Sequence, residues 1–161
     1  MDIKIRQFEK DDINKVVEIW NEVVADGIAF PQMELLDIKT GLEFFNSQSY
    51  TGVAINDNEI VGLYILHPNN VGRCGHISNA SYAVKSLMRG QHIGEMLVLD
   101  CLKKAKELDF KILQFNAVVA TNFGALHLYE KLGFIKLGII KNGFLMKDGT
   151  YQDIIPHYIT L

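Results

Sequence analysis

The chain has 161 residues, with 16 Lys and Arg against 19 Asp and Glu, for a net charge of −3. That length fits one domain spanning 1–161, able to bury roughly 70% of its unfolded surface without disulfide or metal staples. A 48% hydrophobic and 22% charged composition matches soluble globular chains and excludes a disordered one, and the lack of any Lys/Arg-rich run argues against a nucleic-acid partner.

No apolar run reaches the length that spans a bilayer, so no membrane partner is expected. The opening MDIKIRQFEK is charged and lacks the apolar stretch of a signal peptide. Cys74 and Cys101 show neither metal-ligand spacing nor disulfide density, and they read as reduced thiols. The expectation is a soluble, cytoplasmic protein with no metal.

Ile3–Arg6 alternates as a half-buried strand does. Asp11 or Asp12 can cap a helix whose apolar positions Ile13, Val16, Val17, Trp20 and Val24 recur at helical spacing. Gly27 and Pro31 break it and leave the loop GIAFP, and a second helix is expected around Leu35 to Phe45. Strand formers fill 50–56 and 59–67, with Asp57 and Asn58 as the hairpin turn. Another strand runs from His76 to Val84. A long helix follows, from about His92 to Leu108, with Ile93, Leu97, Cys101, Ala105 and Leu108 on one stripe and Asp100, Lys103, Lys104 and Glu107 on the opposite one.

Residues 112–119 read as a buried strand, after which Asn122 caps a helix that Gly133 ends. Phe134 to Ile140 and Tyr151 to Ile159 are expected as closing strands around a Gly143–Gly149 loop. The order β-α-α-β-β-β-α-β-α-β-β predicts an α/β chain: a mixed sheet flanked by helices.

Two motifs carry chemistry. Residues 89–94 read RGQHIG between a strand and a long helix, where backbone N–H groups and the helix dipole suit a pyrophosphate. Residues 121–134 read TNFGALHLYEKLGF. Together they resemble the GNAT acetyltransferases, which combine Q/R-x-x-G-x-G/A at the pyrophosphate loop with N-x-x-A-x-x-L-Y-x-K-x-G-F downstream. The order of elements across nearly the whole chain agrees. His92 departs from the pattern, standing where the loop usually has its first glycine.

The resemblance implies a mostly antiparallel sheet with one splayed strand pair, and acetyl-CoA as the cosubstrate lying in the splay. It places Arg89, Gly90, Gln91, His92, Ile93 and Gly94 at the pyrophosphate. Tyr82, Ala83 and Val84 would offer backbone to the pantetheine and the thioester, and Asn122 would hydrogen-bond the pantetheine. Tyr129 would protonate the leaving thiolate.

For the base, no Asp or Glu occurs between Val71 and Val84. His76, whose imidazole can accept and release a proton, is the candidate there, with a water relay as the alternative. Asn79 and Asn116 interrupt strands that are otherwise apolar, and a buried amide must find a partner. The words GHISNASYAV and QFNAVVATN resemble a GNAT branch that includes fungal N-acetyltransferases of proline analogues such as azetidine-2-carboxylate. That branch implies that Asn79, Asn116 and Asn122 bind or orient a small amino compound, an amino acid or analogue. Phe30 of the GIAFP loop is a further candidate for the acceptor pocket, as part of the pocket that a herbicide-like amine would need. Protein N-termini, a herbicide-like amine, and a sensor that binds acyl-CoA without turnover are the competing readings. A homodimer is expected from family habit.

Overall fold

The computed structural model describes residues 2–161. Strand β1 (Lys4–Gln7) leads through a 3-10 turn (Lys10–Asp12) into α1 (Ile13–Asp26), followed by α2 (Ile38–Asn46). Then come β2 (Tyr50–Asn56), β3 (Glu59–Pro68), β4 (Ile77–Val84), α3 (Ile93–Glu107) and β5 (Ile112–Val119). The chain closes with α4 (Phe123–Lys131), the two-residue β6 (Ile135–Lys136), β7 (Ile140–Leu145) and β8 (Tyr151–Thr160). The strands form one sheet in the order β1-β2-β3-β4-β5-β8-β6, and β7 also pairs with β8. Every pairing is antiparallel except β4 with β5. This is the mixed, mostly antiparallel sheet the sequence predicts.

Alternation along each strand divides the core in two. Val53, Leu63, Ile65 and Ala83 pack against α1 and the aromatic cluster of Trp20, Phe30, Phe44 and Phe45. Their neighbours Ala54, Tyr64, Leu66 and Ala80 face α3, and Leu113, Phe115 and Phe134 extend that layer beneath α4. α1 stops where Gly27 turns left-handed at φ 64° and donates its N–H to the Val24 carbonyl, a conformation glycine adopts without a Cβ clash.

Three expectations are corrected. The second helix begins at Ile38 rather than near Leu35, because the Asp37 side chain accepts from Thr40 N–H and Thr40 Oγ1 from Asp37 N–H, a reciprocal cap that fixes its start. Asp100 is not on a solvated stripe of α3, for its Oδ2 accepts from Tyr64 Oη at 2.7 Å across the helix–sheet interface. The stretch expected as a Gly143–Gly149 loop contains the end of β7. Gly143 sits in that strand because a Cβ there would strike the Ile154 side chain.

Candidate active site

β4 and β5 are joined at one end and parted at the other. At the joined end Ile77 pairs with Ile112 and Ser78 with Leu113. Lys111 N–H donates to the His76 carbonyl at 2.9 Å, and Ser78 Oγ donates to the Ile112 carbonyl at 2.8 Å. One residue further the backbones have separated, and the Asn79 side chain spans the gap, its Nδ2 donating to the Gln114 carbonyl at 2.9 Å. Beyond Asn79 no backbone bond joins the two strands among the described residues. β5 also bulges here, its register against β8 shifting between Phe115 and Val118, so Asn116 and Ala117 fall outside that ladder.

The orientation of the β4 backbone follows from its other neighbour. Asn69 N–H donates to the Ile77 carbonyl and Lys85 N–H to the Val61 carbonyl. In an antiparallel ladder alternate residues exchange bonds with a given partner, so Asn79, Ser81 and Ala83 bond to β3. Ala80, Tyr82 and Val84 turn their N–H and C=O into the opening. Of the backbone groups expected to meet the thioester, those of Tyr82 and Val84 are thus available and those of Ala83 are engaged.

A cavity of about 170 Å³ lies in the opening, and Phe30, Asn79, Tyr82, Asn116, Asn122 and Tyr129 are among its lining. Asn122 Oδ1 accepts from Ala125 N–H at 3.3 Å, capping α4, which leaves its Nδ2 for a ligand. Tyr129 is packed by Phe115, Phe134 and His157 at centroid distances of 4.5, 5.3 and 5.8 Å. Its hydroxyl donates to no protein group among the described residues, and burial raises its pKa above the ordinary phenol range.

Behind it, the Tyr82 hydroxyl is buried without a hydrogen-bond partner. The neighbouring Cys101 thiol is pushed up to about 12 by burial, which keeps it protonated and unreactive.

The RGQHIG segment forms the turn into α3. Gly90 and His92 both adopt positive φ, 78° and 61°. His92 N-caps the helix in the left-handed region without a side-chain cap bond. The N–H groups of residues 90–95 donate to no protein acceptor among the described residues, so the free donors of the first turn and the loop point to an anion. That donor set fits a pyrophosphate. Arg89 stands beside it, its guanidinium held by Asp26 Oδ2 at 3.0 Å. Glu95, an acid in the first turn, is paired with Lys131 Nζ at 2.6 Å and approached by His92 at 3.5 Å.

His76 is not brought to this cavity. Its side chain is exposed and its carbonyl marks the joined end of the two strands, so the geometry gives it no place as the base. Asn116 does line the cavity, with its amide already oriented: Gln114 Nε2 donates to its Oδ1 at 3.1 Å, and its Nδ2 donates to Asn69 Oδ1 at 2.7 Å. Sequence reasoning passed over Gln114, Asn69 and the cavity-lining Ser81. Alternation alone could have found Gln114 and Ser81, each two residues from an asparagine already singled out on the same face.

Comparison with known proteins agrees with this geometry. Residues 15–134 match the model of the acetyltransferase (GNAT) family. N-acetyltransferase aca1 of Schizosaccharomyces pombe is 38% identical over 100 residues, 62% of this chain and 47% of that protein, so the chain matches about half the length of this relative. A GCN5-related N-acetyltransferase from Kribbella flavida superposes with a TM-score of 0.90 at 27% identity, covering 99% of this chain and 98% of that one. YncA from Salmonella typhimurium, solved with its cofactor acetyl-CoA, superposes with a TM-score of 0.92 at 17% identity, covering 100% and 95%. With a family match across three quarters of its length, this chain belongs to the GNAT acetyltransferase family.

Proposed function

We propose that the chain transfers acetyl from acetyl-CoA to the amine of a small molecule, by direct attack within a ternary complex. The observation that carries the reading is the parted end of β4 and β5, where strand backbone, a helix cap and a buried tyrosine converge on one cavity. Acetyl-CoA supplies a thioester carbonyl for the amine and leaves as the thiol.

The free donors of residues 90–95 would hold the pyrophosphate, with Arg89 adding charge after exchanging Asp26 for phosphate. Tyr82 and Val84 would pair with the pantetheine as an added strand does, and an N–H of this strand would face the carbonyl oxygen as negative charge grows there. Asn122 Nδ2 would meet a pantetheine carbonyl.

Tyr129 carries the proton step. Burial raises its pKa and so favours the protonated hydroxyl, from which Oη can donate to the departing sulfur and be resupplied from the attacking nitrogen. Asn79 and Asn116 would orient the acceptor beneath Phe30. An ordered water, rather than His76, is the remaining relay for the amine's proton. Accordingly, His76→Ala is expected to leave the pH–rate profile unchanged.

Two coarser features complete the proposal. The free cysteines Cys74 and Cys101 support a reducing, cytoplasmic setting, and no helix among the described residues is long and apolar enough to cross a membrane. Ile135, Leu137, Ile139 and Ile140 are exposed along the outer edge of the sheet, which supports a homodimer through that edge.

The test is thiol release from acetyl-CoA across amino acids, proline analogues, polyamines, aminoglycosides and basic peptides. Release with one small-amine class supports the reading. Release with peptides alone would move the acceptor to protein N-termini, and tight acetyl-CoA binding with no release on any amine would leave a sensor.

A further inference from the structure

Among the described residues, those lining the β4–β5 cavity include no Asp, Glu, Lys, Arg or His. Its hydrogen-bonding side chains are amides and hydroxyls, set among Phe30, Pro31 and Val118. The imidazoles nearest in the fold are committed elsewhere. His67 pairs opposite Asn79 on β3, with its Nδ1 3.0 Å from the Pro68 carbonyl, and does not line the cavity. His157 is buried behind Tyr129 with its Nδ1 on the Ile155 carbonyl. A second cavity on the other side of Phe30 and Pro31 carries one charged residue in its lining, Lys147, and no carboxylate.

From this lining we infer that the acceptor enters as an uncharged amine without a carboxylate: an aromatic or otherwise weakly basic amine on a small apolar body. The inference rests on the transferase reading above and narrows its acceptor. An alkylammonium would lose its water with no anion to replace it, and no carboxylate lines the cavity to take its proton. The carboxylate of a free amino acid would meet no cation there.

A neutral amine needs neither. The C–N bond forms as the C–S bond breaks, and the nitrogen's surplus proton passes through Tyr129 Oη to the sulfur, so the site neither gains nor loses a proton. Asn79 supplies the recognition. Its Nδ2 is fixed on the Gln114 carbonyl, which leaves Oδ1 as an acceptor, with no protein donor among the described residues, for the N–H of the incoming amine.

The experiment uses the wild-type chain at saturating acetyl-CoA, following thiol release from about pH 6 to 9. Two matched pairs are compared: aniline with benzylamine, and prolinamide with proline. For aniline, kcat/KM stays level with pH. For benzylamine it falls about tenfold for each pH unit below the pKa of the amine, because only the free base is used. Prolinamide exceeds proline by at least about tenfold at pH 7, the amide having lost both the carboxylate and much of the basicity. A benzylamine profile that is level from pH 6 to 8, or proline used as well as prolinamide, would overturn the inference. Acetyl-CoA binding without release on any amine would overturn the transferase reading instead, a distinct result.

Discussion

The two ends of the β4–β5 junction differ in what closes the space between the strands. At Ile77 and Ser78 the backbone does it, helped by the Ser78 hydroxyl. At Asn79 a side-chain amide does it alone, and past that point backbone groups of Ala80, Tyr82 and Val84 face the opening, whose cavity Ala80 and Tyr82 line. The closed end is a stable parallel pairing with no chemistry. The open end, where the proposed chemistry would sit, is bridged by that one amide, while the β3 and β8 ladders hold the two strands on their outer sides. A site of this kind needs no strained loop; a parallel pair that stops early is enough.

Variants that alter the open end should separate function from stability. The largest effect is expected for Tyr129→Phe, which keeps the ring contacts with Phe115 and Phe134 and removes the proposed proton carrier. Its kcat should fall about a hundredfold or more, while acetyl-CoA affinity by calorimetry stays within about twofold. Asn79→Ala removes the latch and leaves the Gln114 carbonyl without it. That should cost about 1–3 kcal/mol in chemical denaturation and raise the KM for the amine. Asn122→Ala loses the α4 cap, at about 1 kcal/mol, and should weaken acetyl-CoA binding more than it lowers stability.

The smallest effect belongs to His157, buried behind the site with Nε2 unpartnered. Burial depresses its pKa, the Ile155 carbonyl opposing that shift and Lys136 adding to it. A depressed folded-state pKa means that the unfolded chain takes up the proton first. Its contribution is therefore complete above the ordinary imidazole range near 6.5, and it is lost as pH falls below that range toward the folded pKa. Subtracting the denaturation curves of His157→Phe from wild type over this window should show that loss.

Much of this was legible in the chain. The apolar spacing of Ile13, Val16, Val17, Trp20 and Val24 gave α1, and the paired motifs RGQHIG and TNFGALHLYEKLGF marked the fold and the turn into α3. What escaped depends on contacts far apart in sequence. Asp100 counts as polar in any periodicity, and only the Tyr64 hydroxyl across the interface explains its inward place. Gly143 looks like a turn residue until Ile154 is seen to occupy the space of its missing Cβ. Asn79 was legible as an amide out of place, but its partner Gln114 lies 35 residues away. His76 drew attention by residue type alone, which says nothing about which end of the parted strands it occupies.

Amide hydrogen exchange along β4, with and without acetyl-CoA, tests the central claim most directly. In the free protein the amides of Tyr82 and Val84, which face the opening, should exchange faster than that of Ala83, which is held in the β3 ladder. Adding acetyl-CoA should slow Tyr82, Val84 and the amides of residues 90–95 while Ala83 changes little. Protection elsewhere, with Tyr82 and Val84 as fast as before, would contradict the placement of the cosubstrate between β4 and β5 and the chemistry built on it.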